Sequence, residues 1–102
     1  MDDLWHQEID KATTEAEVVR SASDYLGVWA PRELAPAALG LSEMRVKTSD
    51  EVVLVNYRLS SHPEKVASTA RQAAHLRELA GYFGHAASRI FDIRRRQLRP
   101  AA

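Results

Sequence analysis

One long pattern of helical spacing fills the last third of the chain. From residue 63 to about residue 97, apolar residues recur at steps of three and four, which marks one face of an α-helix. The main stripe comprises Val66, Ala70, Ala73, Leu76, Ala80, Phe83, Ala87 and Ile90, and a second stripe of Leu79, Tyr82, Ala86 and Ile93 lies beside it. A stripe this wide is typical of a core helix with several neighbours. With Pro63 in its first turn, the pattern predicts one helix of about 35 residues.

Two glycines, Gly81 and Gly84, lie inside this predicted helix. An interior glycine costs a helix about 1 kcal/mol relative to alanine, so each glycine needs a packing role or marks a break. We predict that Gly84 allows a second helix to approach closely. Gly81 could introduce a kink, but the apolar period keeps its phase across residues 81–84, which favours a continuous helix.

The length of this helix suggests a dimer. A straight helix of that length measures about 52 Å, whereas a globule of about 100 residues has a radius of gyration of about 13 Å. We therefore predict that a second copy covers its far half, in a non-catalytic protein-interaction or assembly module that works as a homodimer. The predicted interface comprises Tyr82, Phe83, Gly84, Ala86, Ala87, Ile90 and Phe91.

The first segment of the chain is also predicted to be helical. Residues 3–26 carry a stripe of Trp5, Ile9, Ala12, Ala16, Val19 and Leu26. The stripe predicts one long first helix that ends at Gly27 and packs antiparallel to the last helix. Thr14 and Glu17 have the form of a capping box, which leaves open two helices that meet near Thr13.

A short connector follows this segment. Pro31 is suited to open a helix from Arg32 to Leu39, and Gly40 to end it. Trp29, in the proline-flanked stretch, is a possible anchor for a partner, since tryptophan is favoured at the centres of interfaces. The alternative is that Trp29 closes one end of the bundle.

Residues 44–59 admit two predictions. Thr48 and Glu51 form a second capping box, which predicts a helix from Ser49 to Leu59. The apolar run Val-Val-Leu-Val instead favours a β-hairpin. The fold class that follows is all-α, a small bundle with long first and last helices and a short connector helix; the hairpin would make it α+β.

Composition limits the remaining possibilities. The chain has 102 residues and no cysteine, which predicts a single helical domain over residues 1–98 with a frayed tail at 99–102, and excludes disulfides and thiolate metal sites. No apolar run reaches the roughly 20 residues that span a bilayer, and the amino terminus lacks an apolar signal segment. We expect a cytoplasmic, bacterial protein without a membrane partner.

Charge divides unevenly between the two halves of the chain. Residues 1–51 contain eleven acidic and five basic residues, a net charge of −6, whereas residues 52–102 contain three acidic and nine basic residues, a net charge of +6. This division predicts pairing between the first and last helices, within one chain or between two. The alternative is a small regulatory protein that contacts nucleic acid through Arg94, Arg95, Arg96 and Arg99, although the overall neutrality of the chain counts against it.

Motifs for chemistry are scarce. The chain has no Gly-x-Ser-x-Gly elbow and no glycine-rich phosphate loop, so we expect neither an enzyme nor a cofactor. His75 and Glu78 are three residues apart and share a helix face, as metal ligands do in some four-helix bundles. Because the motif occurs once, a metal-binding bundle is the weaker alternative.

Overall fold

The computed structural model describes residues 2–61 and 69–98, and these residues form an all-α bundle. Its helices are α1 (Asp2–Lys11), α2 (Glu15–Trp29), α3 (Ser49–Ser61) and α4 (Ala70–Leu98), with a short 3-10 helix (Pro36–Leu39) between α2 and α3. The described ranges contain no strand. The all-α prediction is therefore confirmed, and the alternative hairpin over residues 44–59 is wrong.

The predicted single first helix is wrong, because the chain breaks between α1 and α2. Thr14 is extended, with φ −125° and ψ 155°, and its Oγ1 accepts a hydrogen bond from the Glu17 backbone N–H at 3.2 Å. This side-chain cap satisfies a backbone donor at the start of α2 and so favours a new helix there. The buried positions change phase across the break, from Ile9 and Ala12 to Val18 and Ala22.

Helix α2 continues through Gly27 and ends at Trp29, so the predicted stop at Gly27 is wrong. The next residue, Ala30, is extended at φ −66° and ψ 138°. It precedes Pro31, and a proline disfavours the helical conformation in the residue before it. The proline, rather than the glycine, therefore ends the helix.

The connector helix is shorter than predicted: it begins at Pro36 rather than at Arg32. Proline lacks a backbone N–H, so it suits a first helical position, where that donor would have no partner in the helix. Gly40 ends the turn in the left-handed conformation, with φ 79°, as expected for a glycine after a helix. A Cβ at Gly40 would lie 2.8 Å from Arg58 Nε, so this glycine also permits close packing on α3.

The start of α3 confirms the second capping box. The Glu51 backbone N–H donates to Thr48 Oγ1, and the Thr48 backbone N–H donates to Glu51 Oε1, both at 3.1 Å. The Lys47 backbone N–H donates to the same carboxylate at 2.6 Å. Three backbone donors are satisfied by two side-chain atoms, which explains why the apolar Val-Val-Leu-Val run folds as a helix.

The last helix begins later than predicted. The Gln72 backbone N–H donates to Thr69 Oγ1 at 3.0 Å, so Thr69 caps α4, and the helix has 29 residues rather than about 35. The predicted start at Pro63 lies within residues 62–68, outside the described residues. Helix α4 is unbroken across Gly81 and Gly84, in agreement with the predicted continuity.

Contacts along α4 define the direction of α1. Asp10 contacts His85 and Ala12 contacts Arg89, so α1 runs parallel to α4. The predicted antiparallel packing of the first and last helices is therefore wrong for α1.

Helices α2 and α3 run the other way. Glu15 contacts Arg94 and Ser21 contacts Tyr82, so α2 is antiparallel to α4. Asp50 contacts Arg94 and Asn56 lies beside Gly84, so α3 is antiparallel to α4 too. Since α2 and α3 are parallel to each other, residues 30–48 return along the bundle as a crossover.

The core lies along the inner face of α4. Its buried residues there are Leu76, Leu79, Tyr82, Phe83, Ala86, Ala87, Ile90 and Ile93. The chain measures 52 × 26 × 20 Å, and a 29-residue helix is about 44 Å long. Helices α1, α2 and α3 all pack on α4, so one chain covers this inner face by itself.

Candidate functional site

Most of the predicted interface is core. Tyr82, Phe83, Ala86 and Ile90 are fully buried within one chain, and Ala87 is 2% exposed. A surface between folded chains cannot include side chains that one chain already encloses. Helix α4 is shorter than predicted and is covered by three other helices, which removes the reason for placing a second copy on its inner face.

The other two predicted interface residues differ from these five. Gly84 is half-buried, and a Cβ there would lie 3.5 Å from Asn56 Oδ1, so the glycine lies where α4 crosses α3. Phe91 is 47% exposed, and the Arg94 guanidinium lies 6.0 Å from its ring centroid. Of the seven predicted residues, Phe91 alone has a large side chain that is exposed.

An aromatic stack joins three helices around Tyr82. The Tyr25 and Tyr82 rings are parallel, with centroids 3.8 Å apart, and Trp5 meets Tyr25 edge-on at 5.3 Å. The Tyr82 hydroxyl hydrogen-bonds the Ser21 hydroxyl at 2.9 Å. Burial raises the pKa of Tyr82 well above its ordinary value, with the Ser21 hydrogen bond opposing this rise. A buried, neutral phenol in this setting is structural.

A second polar cluster links α1 to α4. His85 Nε2 lies 2.7 Å from Asp10 Oδ1, and the His6 and His85 rings stack with centroids 5.0 Å apart. A histidine held by a carboxylate is a component of many hydrolase sites, but such sites also need an activated nucleophile. The Tyr82 hydroxyl on the same helix is bonded to Ser21 instead.

The described residues contain no group of three or more histidine and acidic side chains placed to hold a metal ion. His75 and Glu78, the predicted metal pair, are both exposed on α4.

Arg89 closes the end of α1. Its Nε and Nη2 atoms donate to the Ala12 carbonyl oxygen at 3.1 and 2.6 Å. A guanidinium at a helix carboxyl end satisfies a carbonyl that has no partner in the helix and suits its partial negative charge.

Arg94 links the first turns of two helices. Its Nε lies 3.0 Å from Glu15 Oε1 in α2, and its Nη2 lies 3.6 Å from Asp50 Oδ1 in α3. The predicted pairing of acidic residues from the first half with the basic end of the last helix is present here, within one chain. Acids in the first turn of a helix favour its positive end, and Arg94 holds two such acids together.

The remaining arginines are less engaged. Arg95 pairs with Asp92 on the same helix, whereas Arg96 is exposed. Arg99 lies outside the described residues. Of the four predicted nucleic-acid contacts, Arg94 is therefore bound within the fold and Arg95 is locally paired.

The outer face of α4 contrasts with these occupied surfaces. Its exposed residues are Ala74, Arg77, Glu78, Gly81, Ser88 and Arg95, with Asp92 half-buried among them. A side chain at Gly81 would meet no described atom within 4 Å. Residues 74, 81, 88 and 95 are seven apart and so share one helix face. We call this set the outer face of α4; its seven-residue spacing is present in the sequence, but apolar periodicity does not mark it.

Trp29 is half-buried and packs against the core, with its ring centroid 6.4 Å from that of Tyr25. Its indole nitrogen is buried and has no hydrogen-bond partner among the described residues. Trp29 therefore contacts the core of the bundle, and both its role as a partner anchor and the alternative, in which it closes one end of the bundle, stay predictions.

Two further results bear on function. In the described ranges, no helix combines the length and the apolar character needed to cross a bilayer. Comparison of the chain with known protein families, curated proteins and solved structures finds no match.

Proposed function

We propose that this chain is a non-catalytic helical assembly module that forms a homodimer through the outer face of α4. The observation that carries the proposal is Gly81, an exposed glycine eleven residues into a continuous helix. An interior glycine costs a helix about 1 kcal/mol relative to alanine. No described atom lies where its side chain would be, so packing within the chain gives no compensation. The close approach of a second helix would provide this compensation.

Charge on the outer face suits an antiparallel copy of the same helix. In a two-fold arrangement centred between Gly84 and His85, Gly81 lies opposite Ser88 of the second copy. Arg77 then lies opposite Asp92 of the second copy, and the symmetry repeats the pair. Opposite charges at matching positions favour this register over others, and the small residues at its centre let the helices approach closely.

Phe91 supplies an apolar edge to this face. It is 47% exposed and borders a surface depression lined by Ser88, Asp92, Arg94 and Arg95. Aromatic residues are enriched in protein interfaces because they bury a large area for little conformational entropy. An assembly of this kind needs no catalytic group or cofactor. Its predicted location is the cytoplasm.

Sedimentation equilibrium at tens of micromolar tests the dimer. We expect the wild-type chain to sediment as a dimer and Gly81→Arg to sediment as a monomer, since the new side chain would separate the two helices. Gly27→Arg is the matched control, because Gly27 is also exposed, helical and without a described atom within 4 Å. A monomeric wild type, or equal loss of the dimer in both variants, would contradict the proposal.

A charge exchange tests the register. Arg77→Asp alone should weaken the dimer, because two like-charged pairs would then form across the axis. The double variant Arg77→Asp with Asp92→Arg should restore it. If the double variant remains monomeric while the wild type is a dimer, the register is wrong even though the dimer is real.

The alternative function, contact with nucleic acid through the basic end of α4, has less support. The Arg94 interactions with Glu15 and Asp50 would have to give way to phosphate. Retention on single- or double-stranded DNA that weakens with salt, and that Arg95→Ala with Arg96→Ala abolishes, would favour this alternative.

A further inference from the structure

A groove separates α2 from the end of the crossover. One wall is formed by residues 16–24 of α2 and the other by residues 45–49, and the groove between them is open to solvent, with a volume of about 710 Å³. Volumes of this size are typical of ligand sites. The α2 wall is about 12 Å long, which matches about four residues of an extended peptide at about 3.3 Å each.

Basic residues are concentrated in this groove. Arg20 lies on the α2 wall, and Arg45 and Lys47 lie on the crossover wall. Residues 1–51 contain only five basic residues, so three of the five line one groove. The same half contains eleven acidic residues, of which Asp24 alone is in the lining. The lining itself therefore carries more basic than acidic side chains, with Glu43 and Glu51 beside its crossover wall.

Arg45 and Lys47 can exchange their present acidic partner for a carboxylate of a ligand. Arg45 and Lys47 share Glu43, at 3.2 and 3.5 Å, and all three side chains are about half exposed or more. Exposed ion pairs contribute little free energy, because water competes with both partners. A carboxylate presented by a ligand that also buries apolar area can therefore replace Glu43.

The rest of the lining specifies more than charge. Ala16, Val19 and Val46 give the groove an apolar part, and Ser23, Thr48 and Ser49 add hydroxyl groups. Val46 is buried and Val19 is half-buried, whereas Arg20, Arg45 and Lys47 are exposed, so the two valines form the floor and the basic side chains lie at the rim. A ligand that fits carries carboxylates at its edges and a small aliphatic side chain between them.

We infer that this groove binds a short acidic peptide segment of a partner protein, with carboxylates paired to the rim and an aliphatic side chain on the floor. Nucleic acid fits less well. Its phosphates repeat along a strand and need a longer basic track, and the lining offers no aromatic ring on which a base could stack. The inference goes beyond the proposed homodimer and does not depend on it, because the groove and the outer face of α4 share no residue.

Amide chemical shifts of the full chain test the inference. The probe is the acetylated and amidated peptide Asp-Leu-Glu-Leu-Asp, added to the isotope-labelled protein. We expect saturable shifts confined to residues 16–24 and 45–49 and their neighbours, with an affinity that falls as salt is added. Arg20→Gln combined with Arg45→Gln should weaken binding about tenfold.

Arg32→Gln is the matched control, since Arg32 is an exposed basic residue of the same half outside the groove; its affinity should equal that of the wild type. The peptide Lys-Leu-Lys-Leu-Lys should not bind. The inference is overturned if the acidic peptide shifts no groove resonance, if Arg32→Gln weakens it equally, or if a short oligothymidine binds the groove in preference to the peptide. Unchanged spectra outside the groove show that each variant is folded.

Discussion

The inner and outer faces of α4 solve different problems with the same backbone. The inner face carries large side chains that are fully buried, such as Tyr82, Phe83 and Ile90. The outer face carries Gly81, Ser88 and charged residues that the rest of the described chain does not cover. Burial of apolar area stabilises the fold in proportion to that area. The inner face should therefore determine stability, while the outer face is free to serve association.

Truncation of the inner face should have the largest effect. Phe83→Ala should lower the free energy of unfolding by about 3 to 5 kcal/mol, through lost transfer energy and the cavity left behind. Phe91→Ala is the matched control on the outer side, where the ring is 47% exposed, and it should cost about 1 kcal/mol or less. Urea unfolding of dilute protein measures both. Equal losses would mean that the two faces do not differ as described.

The edge between the faces should show an intermediate effect. Arg89→Ala removes both hydrogen bonds to the Ala12 carbonyl oxygen. Ala12 itself is 2% exposed. Loss of these partners for a buried carbonyl should cost about 1 to 3 kcal/mol. Arg96 is exposed and lies about two helical turns after Arg89 on α4. Arg96→Ala should change the free energy of unfolding by less than about 0.5 kcal/mol. If Arg89→Ala changes the free energy of unfolding as little as Arg96→Ala does, the Arg89 hydrogen bonds to the end of α1 do not stabilise the fold.

The buried phenol makes the inner face sensitive to alkaline pH. Burial raises the pKa of Tyr82 above its ordinary value of 10.0, so the native state keeps the proton that the unfolded state releases. The resulting stabilisation is complete below about pH 10 and is lost as the pH rises further.

Tyr82→Phe should remove this pH dependence and cost about 0.5 to 1.5 kcal/mol near neutral pH, since the Ser21 hydrogen bond is lost. Unfolding free energies between pH 8 and pH 11 compare the slopes. A variant that keeps the wild-type alkaline slope would assign that slope to other groups.

A small side chain on the outer face should raise the free energy of unfolding of the monomer slightly. Gly81→Ala should stabilise the monomer by about 0.5 to 1 kcal/mol, because alanine loses less backbone entropy and no described atom obstructs its Cβ. Thermal unfolding of protein too dilute to associate measures this change. Gly84→Ala is the informative comparison: its Cβ would contact Asn56 at 3.5 Å, so its gain should be smaller. A loss of stability in Gly81→Ala would show that the outer face is packed.

The helices of this fold were largely readable in the sequence, because local signals determine them. The capping residue Thr48 and its reciprocal partner Glu51 predicted α3 against the β-branched run that follows. The break before α2 was also marked, by Thr14, but the apolar stripe ran across it. A stripe that fits two short helices on one core cannot distinguish them from one long helix, and the cap decided between them.

The arrangement of the helices was not readable in the same way. The contact between Asp10 and His85 joins residues 75 apart in sequence, and the hydrogen bond from Arg89 to the Ala12 carbonyl joins residues 77 apart. Neither pair has a local signature. The predicted interface residues lie mostly in the core for a related reason: an apolar stripe shows that a face is covered, but only the fold shows whether the same chain covers it.

The position of α4 in the chain has a consequence for synthesis. Helices α1, α2 and α3 all pack on it, yet it leaves the ribosome after all three of them. Until then, Val52, Val55 and Leu59 of α3 have no α4 surface to receive them, and the earlier helices remain a loosely held, aggregation-prone precursor. Folding of α1, α2 and α3 into this bundle therefore waits until α4 has been synthesised, and chains that lack α4 are expected to be substrates for chaperones and proteases rather than partly working forms.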